Sequence, residues 1–153
     1  KRFRIVHIDA FIYKMSHFIE YKAPNFKYQI EKSRKKNRWC YTIKEGNTLV
    51  HVSYLYDSVF VLKLLEKNGP VIGDCHTNRQ FRGQSIYPKV INKIALETLR
   101  EGFKEVFIVV NPENSSSIKG IEKAGFIKFA SVKGTRWLWF YFKKQVVYFE
   151  NKY

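Results

Sequence analysis

The order of strand-like and helix-like runs predicts an α/β (α+β) sandwich, with a mixed, largely antiparallel sheet flanked by helices. Aromatic residues make up 17% of the 153 residues, which favours a β-rich or mixed fold over a plain helical bundle. The runs 71–77 and 105–110 are typical of strands, and an amphipathic run, 85–100, separates them. Because no repeat or linker interrupts the pattern, we expect a single domain over residues 1–153.

The first elements carry weak signals. Arg2–Ile8 alternates enough to predict a strand. Ala10–Tyr21 and Asn25–Lys36 predict two modest helices, separated by Pro24.

A hairpin follows these two helices. Trp39–Lys44 and Thr48–Tyr56 are rich in β-forming residues and flank a Glu-Gly-Asn turn at 45–47. For residues 57–70 the sequence leaves two alternatives: a short helix, or an extension of the preceding strand through residues 59–62.

The second half has clearer boundaries. Ser85–Arg100 predicts a helix with Gly102 as its C-terminal cap. Its apolar stripe consists of Ile86, Tyr87, Val90, Ile91, Ile94, Ala95 and Leu99. The apolar run 105–110 predicts a central strand.

The last elements are a helix and two strands. Asn114 predicts the N-cap of a helix over Ser115–Ala124, which Gly125 ends. Phe126–Val132 and Arg136–Phe142 predict a closing hairpin around residues 133–135. Residues 145–149 are a further strand or a dimerisation arm.

The net charge of +15 indicates an anionic partner. Nucleic acid, anionic lipid, acidic glycans and a phosphorylated cofactor all fit, as does a solvated basic face with no dedicated partner. A basic cluster at 32–38 is a solvated helix end or a contact to nucleic acid or a phosphoglycan. The aromatic run 137–142 packs within a sheet, forms a homodimer interface or stacks bases, and we favour the packing interpretation.

We expect a cytoplasmic protein without metal. Cys40 and Cys75 are too few for a disulfide framework and lack metal-ligand spacing. No apolar run approaches the length of about 20 residues that a membrane span needs. The start of the sequence shows no basic-then-apolar signal pattern.

The most informative stretch is Gln-Phe-Arg-Gly-Gln-Ser-Ile at 80–86, between a predicted strand and a predicted helix. Such a turn directs several backbone N–H groups and the positive helix end at one point, which suits a phosphate or pyrophosphate. Arg82 adds a charged donor, and Gly83 lets the backbone approach the anion closely.

These residues resemble the GNAT superfamily of acyl-CoA-dependent N-acetyltransferases. Its signature Q/R-x-x-G-x-G/A is similar to Gln-Phe-Arg-Gly-Gln-Ser at 80–85, where Ser85 departs from the last small position. A second family pattern, an Asn before a helix that ends in Glu-Lys-x-Gly-Phe, matches residues 114–126. The resemblance covers about residues 71–132 well and the remainder by element order only.

The resemblance implies a sheet that splays between the strand ending at Thr77 and the strand at 105–110, with the pantetheine arm of acetyl-CoA in the cleft. A backbone N–H would polarise the acetyl carbonyl, and the acceptor amine would attack directly. The implied cofactor residues are Cys75, His76, Thr77, Phe81, Arg82, Gly83, Gln84, Ser85, Ile86, Tyr87 and Asn114.

The catalytic residues are less well indicated. Many family members carry a Tyr seven residues after the Asn, where it serves the leaving thiolate, but this chain has Ile121. His51 and His76 are the candidate bases, since an ordinary histidine has a pKa near 6.5, although each is alternatively a hydrogen-bonded strand residue. Strict alternation places His76 with Asp74 on the face opposite Cys75 and Thr77. We interpret Cys75 as a small buried hydrophobe rather than a nucleophile.

The expected function is therefore acetyl transfer from acetyl-CoA to a primary amine of a small molecule, with an amino sugar weakly preferred. Two alternatives stay open. One is a basic nucleic-acid-binding module, which is not favoured. The other is a GNAT-like domain that binds CoA without catalysis.

Overall fold

The fold is built on a single mixed sheet. The computed structural model describes residues 5–137 and 140–149, except for the side chains of residues 137 and 140–143. The strands are β1 (Ile5–Met15), β2 (Glu31–Arg34), β3 (Arg38–Glu45), β4 (Thr48–Tyr56), β5 (Val71–Thr77), β6 (Val106–Val110), β7 (Ile127–Trp137) and β8 (Phe140–Tyr148). The helices are α1 (Phe60–Lys63), α2 (Ile86–Arg100) and α3 (Ser115–Lys123), and a 3-10 turn spans Arg79–Phe81. The sheet order is β2-β3-β4-β5-β6-β1-β7-β8, in which β5–β6 is the parallel pair. The α+β class and the mixed, largely antiparallel sheet are thus confirmed.

Two apolar clusters cover the two faces of the sheet. The larger cluster packs the apolar stripe of α2 and part of α3 against β1, β3, β4, β5 and β6. The smaller cluster packs Leu62 and Leu65, in and just after α1, against Val71 and Phe107 on the opposite face. The sheet therefore separates an α2/α3 face from an α1 face.

The second half of the chain matches the prediction closely. α2, β6 and α3 begin and end within one residue of the predicted bounds. Asn114 caps α3 by accepting a hydrogen bond from the Ser117 N–H at 3.2 Å, and Gly125 follows the helix with φ +94°. The β3–β4 hairpin is also confirmed, with Glu45 opposite Thr48. In the open region 57–70, the short helix α1 is the alternative that forms.

The predicted helix over Ala10–Tyr21 is wrong. Its first residues continue β1 as far as Met15, between β6 and β7. Ile12 and Tyr13 are both fully buried, because this central strand is covered on both faces. A strand buried on both faces has a continuous apolar run, and a short run of that kind cannot be separated from a helix by periodicity.

The predicted helix over Asn25–Lys36 is also wrong. Residues 31–34 form β2, an exposed edge strand paired with β3. Residues 16–30 contain no helix or strand, and side chains of α2 hold their backbone at Ile19 and Tyr21. The buried Asn92 amide accepts from the Tyr21 N–H at 3.0 Å and donates to the Ile19 carbonyl at 2.7 Å. Tertiary pairing therefore overrides the local helix pattern.

The turn of the closing hairpin was predicted at the wrong position. Residues 133–135 lie within the continuous strand β7, and the register shifts there, between Lys133 and Thr135. β8 begins at Phe140 and includes most of the run 145–149 that was predicted as a further strand or arm. The interpretations of the aromatic run 137–142 concern side chains that lie outside those the structure describes.

Two irregularities of β5 create an opening in the sheet. β5 and β6 pair only at Val71 with Phe107 and Ile72 with Ile108, so the strands separate beyond Ile72. On its other edge β5 contains a bulge, because His76 and Gly73 pair with Val52 and Tyr54. Asp74 within this bulge has a left-handed φ of +50°. A bulge leaves its extra residue without a ladder partner, so this backbone is free for other contacts.

Candidate active site

A cavity of about 520 Å³ lies where β5 ends, between the first turn of α2 and one side of α3. Ten of the eleven residues predicted to hold a cofactor line this cavity. The exception is Gln84, whose side chain instead accepts a hydrogen bond from the Tyr28 hydroxyl at 2.5 Å. The structure thus brings together residues from β5, from the 80–88 stretch and from Asn114. We call this space the cationic groove.

The lining of the cationic groove has the chemistry of an anion site. Arg82, Lys119 and Lys123 line it, and no carboxylate does so among the described residues. Neither α2 nor α3 has an acidic residue in its first turn, so the positive helix ends are not neutralised locally. The groove therefore favours a ligand with several negative charges.

The loop before α2 contains two residues with a left-handed backbone conformation, Gly83 and Ser85. Gly83 has φ +83°, and a Cβ at this position would contact nothing within 4 Å. Packing in the free protein therefore leaves open the space that a close ligand would use. Ser85 is the N-cap residue of α2, with φ +58° and no capping hydrogen bond from its side chain. Arg82 is oriented by the bond from its Nε to the Thr77 carbonyl at 3.1 Å.

A second cavity of about 200 Å³ occupies the gap between the separating strands β5 and β6. It shares four lining residues with the cationic groove: Cys75, Tyr87, Asn114 and Ser117. On its other side it is lined by Asp74 and Asn111. The two cavities therefore adjoin through the opening in the sheet, which we call the splay cleft.

Tyr87 lies at the junction of the two cavities. Its ring packs on Gly120 of α3, where a Cβ would lie 2.6 Å from the tyrosine Cδ1. Burial raises the pKa of Tyr87 well above its usual value, and the nearby Cys75 thiol adds to this increase. Its hydroxyl is thus protonated at neutral pH. Ile121 is fully buried in the core and lines neither cavity.

The two candidate histidines occupy different environments. His51 is 1% exposed and lines neither cavity. Its Nδ1 is 2.7 Å from the Thr77 hydroxyl and its Nε2 is 2.7 Å from the Ser53 hydroxyl. Burial lowers the pKa of His51 to about 4, with a smaller contribution from the positive charge of His76. His51 is therefore neutral and hydrogen-bonded inside the sheet layer, whereas His76 is exposed and lines the cationic groove.

Cys75 is not activated for nucleophilic attack. Burial raises the pKa of its thiol to about 12, so the thiolate is scarce at neutral pH. The thiol lies 3.6 Å from the Gly73 carbonyl and interacts with Ser53 and Tyr87. Cys75 and Thr77 thus contact residues on the α2/α3 side, as predicted. His76 lines the same groove, however, although strict alternation predicted it on the opposite face.

A polar network that the sequence did not indicate lies at the far side of the splay cleft. The Tyr56 hydroxyl donates a short hydrogen bond to the Asp74 carboxylate. The Arg38 guanidinium donates to the same phenol oxygen at 2.9 Å and stacks on the Tyr54 ring at 4.1 Å from its centroid. Tyr56 pairs with Val71, whose side chain belongs to the core of the α1 face. This Arg38–Tyr56–Asp74 network therefore lies on the face opposite the cationic groove.

Sequence reasoning missed Lys119, Lys123, Tyr56 and the placement of Asp74 in the splay cleft. The two lysines are four residues apart on a predicted helix, and this spacing indicates that they share one face. Asp74 was recognised beside the loop, but its approach to Tyr56 depends on the bulge in β5. No local sequence signal identifies that bulge.

No protein-family model matches this chain, and no curated protein matches it significantly. The resemblance therefore rests on the two motifs quoted above. Across residues 5–137 and 140–149, no helix is long and apolar enough to cross a membrane. In the same residues no group of three or more His, Cys, Asp or Glu side chains could hold a metal ion.

Proposed function

We propose that the protein is an N-acyltransferase that moves an acetyl group from acetyl-CoA to a primary amine of a small molecule. The observation that supports this most directly is the union of the cationic groove with the splay cleft. Acetyl-CoA has a polyanionic end, which carries the phosphates, and an uncharged pantetheine arm. Such a ligand needs a cationic space for its phosphates that adjoins a second space for the arm. The volume of the groove, about 520 Å³, is within the usual range for ligand sites.

The phosphates of the cofactor would bind at the α2 end of the groove. Backbone N–H groups of residues 85–87 are available there, because the N-cap and first turn of a helix leave them without intrahelical partners. Arg82, Lys119 and Lys123 would neutralise the pyrophosphate and the ribose phosphate of CoA. The pantetheine arm would then extend past Cys75 and Tyr87 into the splay cleft.

The transfer step would be a direct attack. The amine nitrogen forms a bond to the acetyl carbon, the carbonyl oxygen becomes an oxyanion, and the C–S bond then breaks to release CoA as a thiolate. A backbone N–H group at the β5 bulge, where the register with β4 shifts between Val52 and Tyr54, would be the donor for the oxyanion. No covalent intermediate on the protein is required.

Tyr87 would supply the proton that the leaving thiolate takes up. It lines both cavities, so its hydroxyl proton lies where the thiolate would be released. Ile121, at the position where a family tyrosine is often found, is buried away from the cavities. We therefore assign the proton donor to α2 instead of α3.

The base is better sought in the cleft than at His51. His51 is enclosed between two hydroxyl groups and reaches no cavity, so it would orient Thr77 instead of meeting the amine. His76 lines the cationic groove and Asp74 lines the second cavity, so both are better placed to meet the amine.

The free thiols of Cys40 and Cys75 favour a reducing, cytoplasmic setting.

Acetyl-CoA affinity of two arginine variants tests this proposal. Arg82→Glu places a carboxylate in the cationic groove, and we expect an affinity loss of about a hundredfold or more, since a charge-assisted contact contributes roughly 1.5–3 kcal/mol and its reversal adds repulsion. Arg79→Glu is the matched control, because Arg79 is exposed three residues earlier and lines neither cavity. Isothermal titration calorimetry measures both variants.

We expect Arg79→Glu to stay within about threefold of the wild type, because long-range charge effects are screened by salt. Equal affinities for wild type and Arg82→Glu would contradict the assignment of the loop. A wild type that binds no acetyl-CoA would contradict the function itself.

A further inference from the structure

The far side of the splay cleft holds the groups that would meet an acceptor, and this inference rests on the proposed function. Asp74 is the one carboxylate among the described residues that line either cavity. It is exposed, and the left-handed φ of +50° at its bulge is unusual for a residue other than glycine. Backbone strain of this kind is often found at functional sites.

Arg38 is close to Asp74 without being paired to it. The Tyr56 phenol lies between them and binds both side chains. None of the described carboxylates lies within 4.0 Å of the Arg38 guanidinium nitrogens. Because a guanidinium has five N–H donors and Tyr56 accepts one bond, donors remain for a further anion.

A neighbouring arginine shows the contrast. Arg34 is held by two parallel hydrogen bonds to the Asp57 carboxylate, at 3.0 and 2.7 Å. We call that pair closed, because the guanidinium and the carboxylate are already bonded to each other. In the Arg38–Tyr56–Asp74 network the two charges are held apart by a phenol, and stacking on Tyr54 keeps the guanidinium plane in place.

We propose that this network is the acceptor subsite, and that it selects a small primary amine that also carries a negatively charged group. The amine binds Asp74 beside the splay cleft, and the anionic group binds the free donors of Arg38. Since both side chains contact the same phenol, the two charges of the acceptor are separated by only a few bonds.

The test uses matched acceptor pairs that differ by one anionic group. The pairs are ethanolamine with phosphoethanolamine, glucosamine with glucosamine 6-phosphate, and tyramine with tyrosine. Release of CoA thiol from acetyl-CoA gives kcat/KM for each acceptor. For at least one pair we expect the anionic member to be preferred by about tenfold or more, the equivalent of roughly one good charged contact.

Two variants assign the two charges. Arg38→Gln should remove the preference by lowering kcat/KM for the anionic member about tenfold or more, with a smaller decrease for the neutral member. Asp74→Asn should lower kcat/KM about tenfold or more for both members. Asparagine tolerates a left-handed φ, so the bulge should be kept in this variant. Arg34→Gln and Asp57→Asn are the controls from the closed pair, and neither should change the preference.

The outcomes separate the two proposals. Equal rates for both members of every pair, a preference that survives Arg38→Gln, or an unaffected Asp74→Asn variant would overturn the acceptor subsite. No transfer to any of these amines by a protein that binds acetyl-CoA would overturn it as well. Failure to bind acetyl-CoA would instead overturn the proposed function.

Discussion

The two sides of the splay cleft are built in different ways. The cationic groove comes from one stretch of sequence, the end of β5 through the first turn of α2, together with one side of α3. The Arg38–Tyr56–Asp74 network comes from three neighbouring strands, β3, β4 and β5. The groove carries three cations and no carboxylate among its described lining residues, whereas the network separates one cation from one carboxylate. A groove of single charge sign suits a polyanion, and a network with both signs suits a zwitterion-like molecule.

The groove and the network also differ in how strongly their geometry depends on the register of the sheet. In the groove the groups that we propose to bind an anion are backbone N–H groups and long side chains, which a fold provides wherever a loop meets a helix. In the network the geometry depends on a bulge and on cross-strand register. A one-residue change of register would move each side chain to the other face. The Arg38–Tyr56–Asp74 network is therefore the more sensitive of the two to changes in the sheet.

The largest stability effect that we predict comes from His51, which is buried beside Thr77 and Ser53. The pKa of His51 is about 4 in the folded protein and near 6.5 in the unfolded chain. Between these values the unfolded chain binds more protons, so stability falls as the pH falls from about 6.5 to 4. The loss should reach about 3 kcal/mol, measured by urea unfolding across this range.

A pair of variants isolates this effect. His51→Asn removes the titrating group and should flatten this part of the pH profile. His76→Asn, on the neighbouring strand but exposed, should keep the slope. A wild-type profile that is flat between pH 6.5 and 4 would contradict the buried, neutral state of His51.

A smaller effect is expected from Gly120, the residue on which Tyr87 packs. An exposed helical Gly→Ala substitution normally stabilises by roughly 1 kcal/mol. Here the added Cβ would lie 2.6 Å from the Tyr87 ring, so we expect Gly120→Ala to destabilise by about 1–3 kcal/mol and to displace Tyr87.

Gly134→Ala in β7 is the control for this prediction. Its Cβ would meet the nearest atom at 3.8 Å, and its φ is not positive. Thermal unfolding compares the two variants. A stabilised Gly120→Ala protein would show that Tyr87 is free to move and is not fixed at the junction.

The features of the fold and the site that could be predicted from the sequence are those set by a few adjacent residues. The 80–86 loop, the cap Asn114 and the stop at Gly125 are properties of a few adjacent residues, and their elements were predicted correctly. Ile12 and Tyr13 were assigned to a helix because a strand buried on both faces has no alternation. The contact of Asp74 with Tyr56 could not be predicted, since it depends on an unsignalled bulge.

The most direct test of the central claim is thermal unfolding of the wild type with acetyl-CoA, with CoA and with a short single-stranded oligonucleotide. A ligand at about 100 times its dissociation constant adds roughly 2.7 kcal/mol, which should raise the midpoint by about 5–10 °C for a chain of this size. We predict that increase with both CoA compounds. An increase with the oligonucleotide alone, lost in salt, would contradict the account and assign the charge of +15 to nucleic-acid binding.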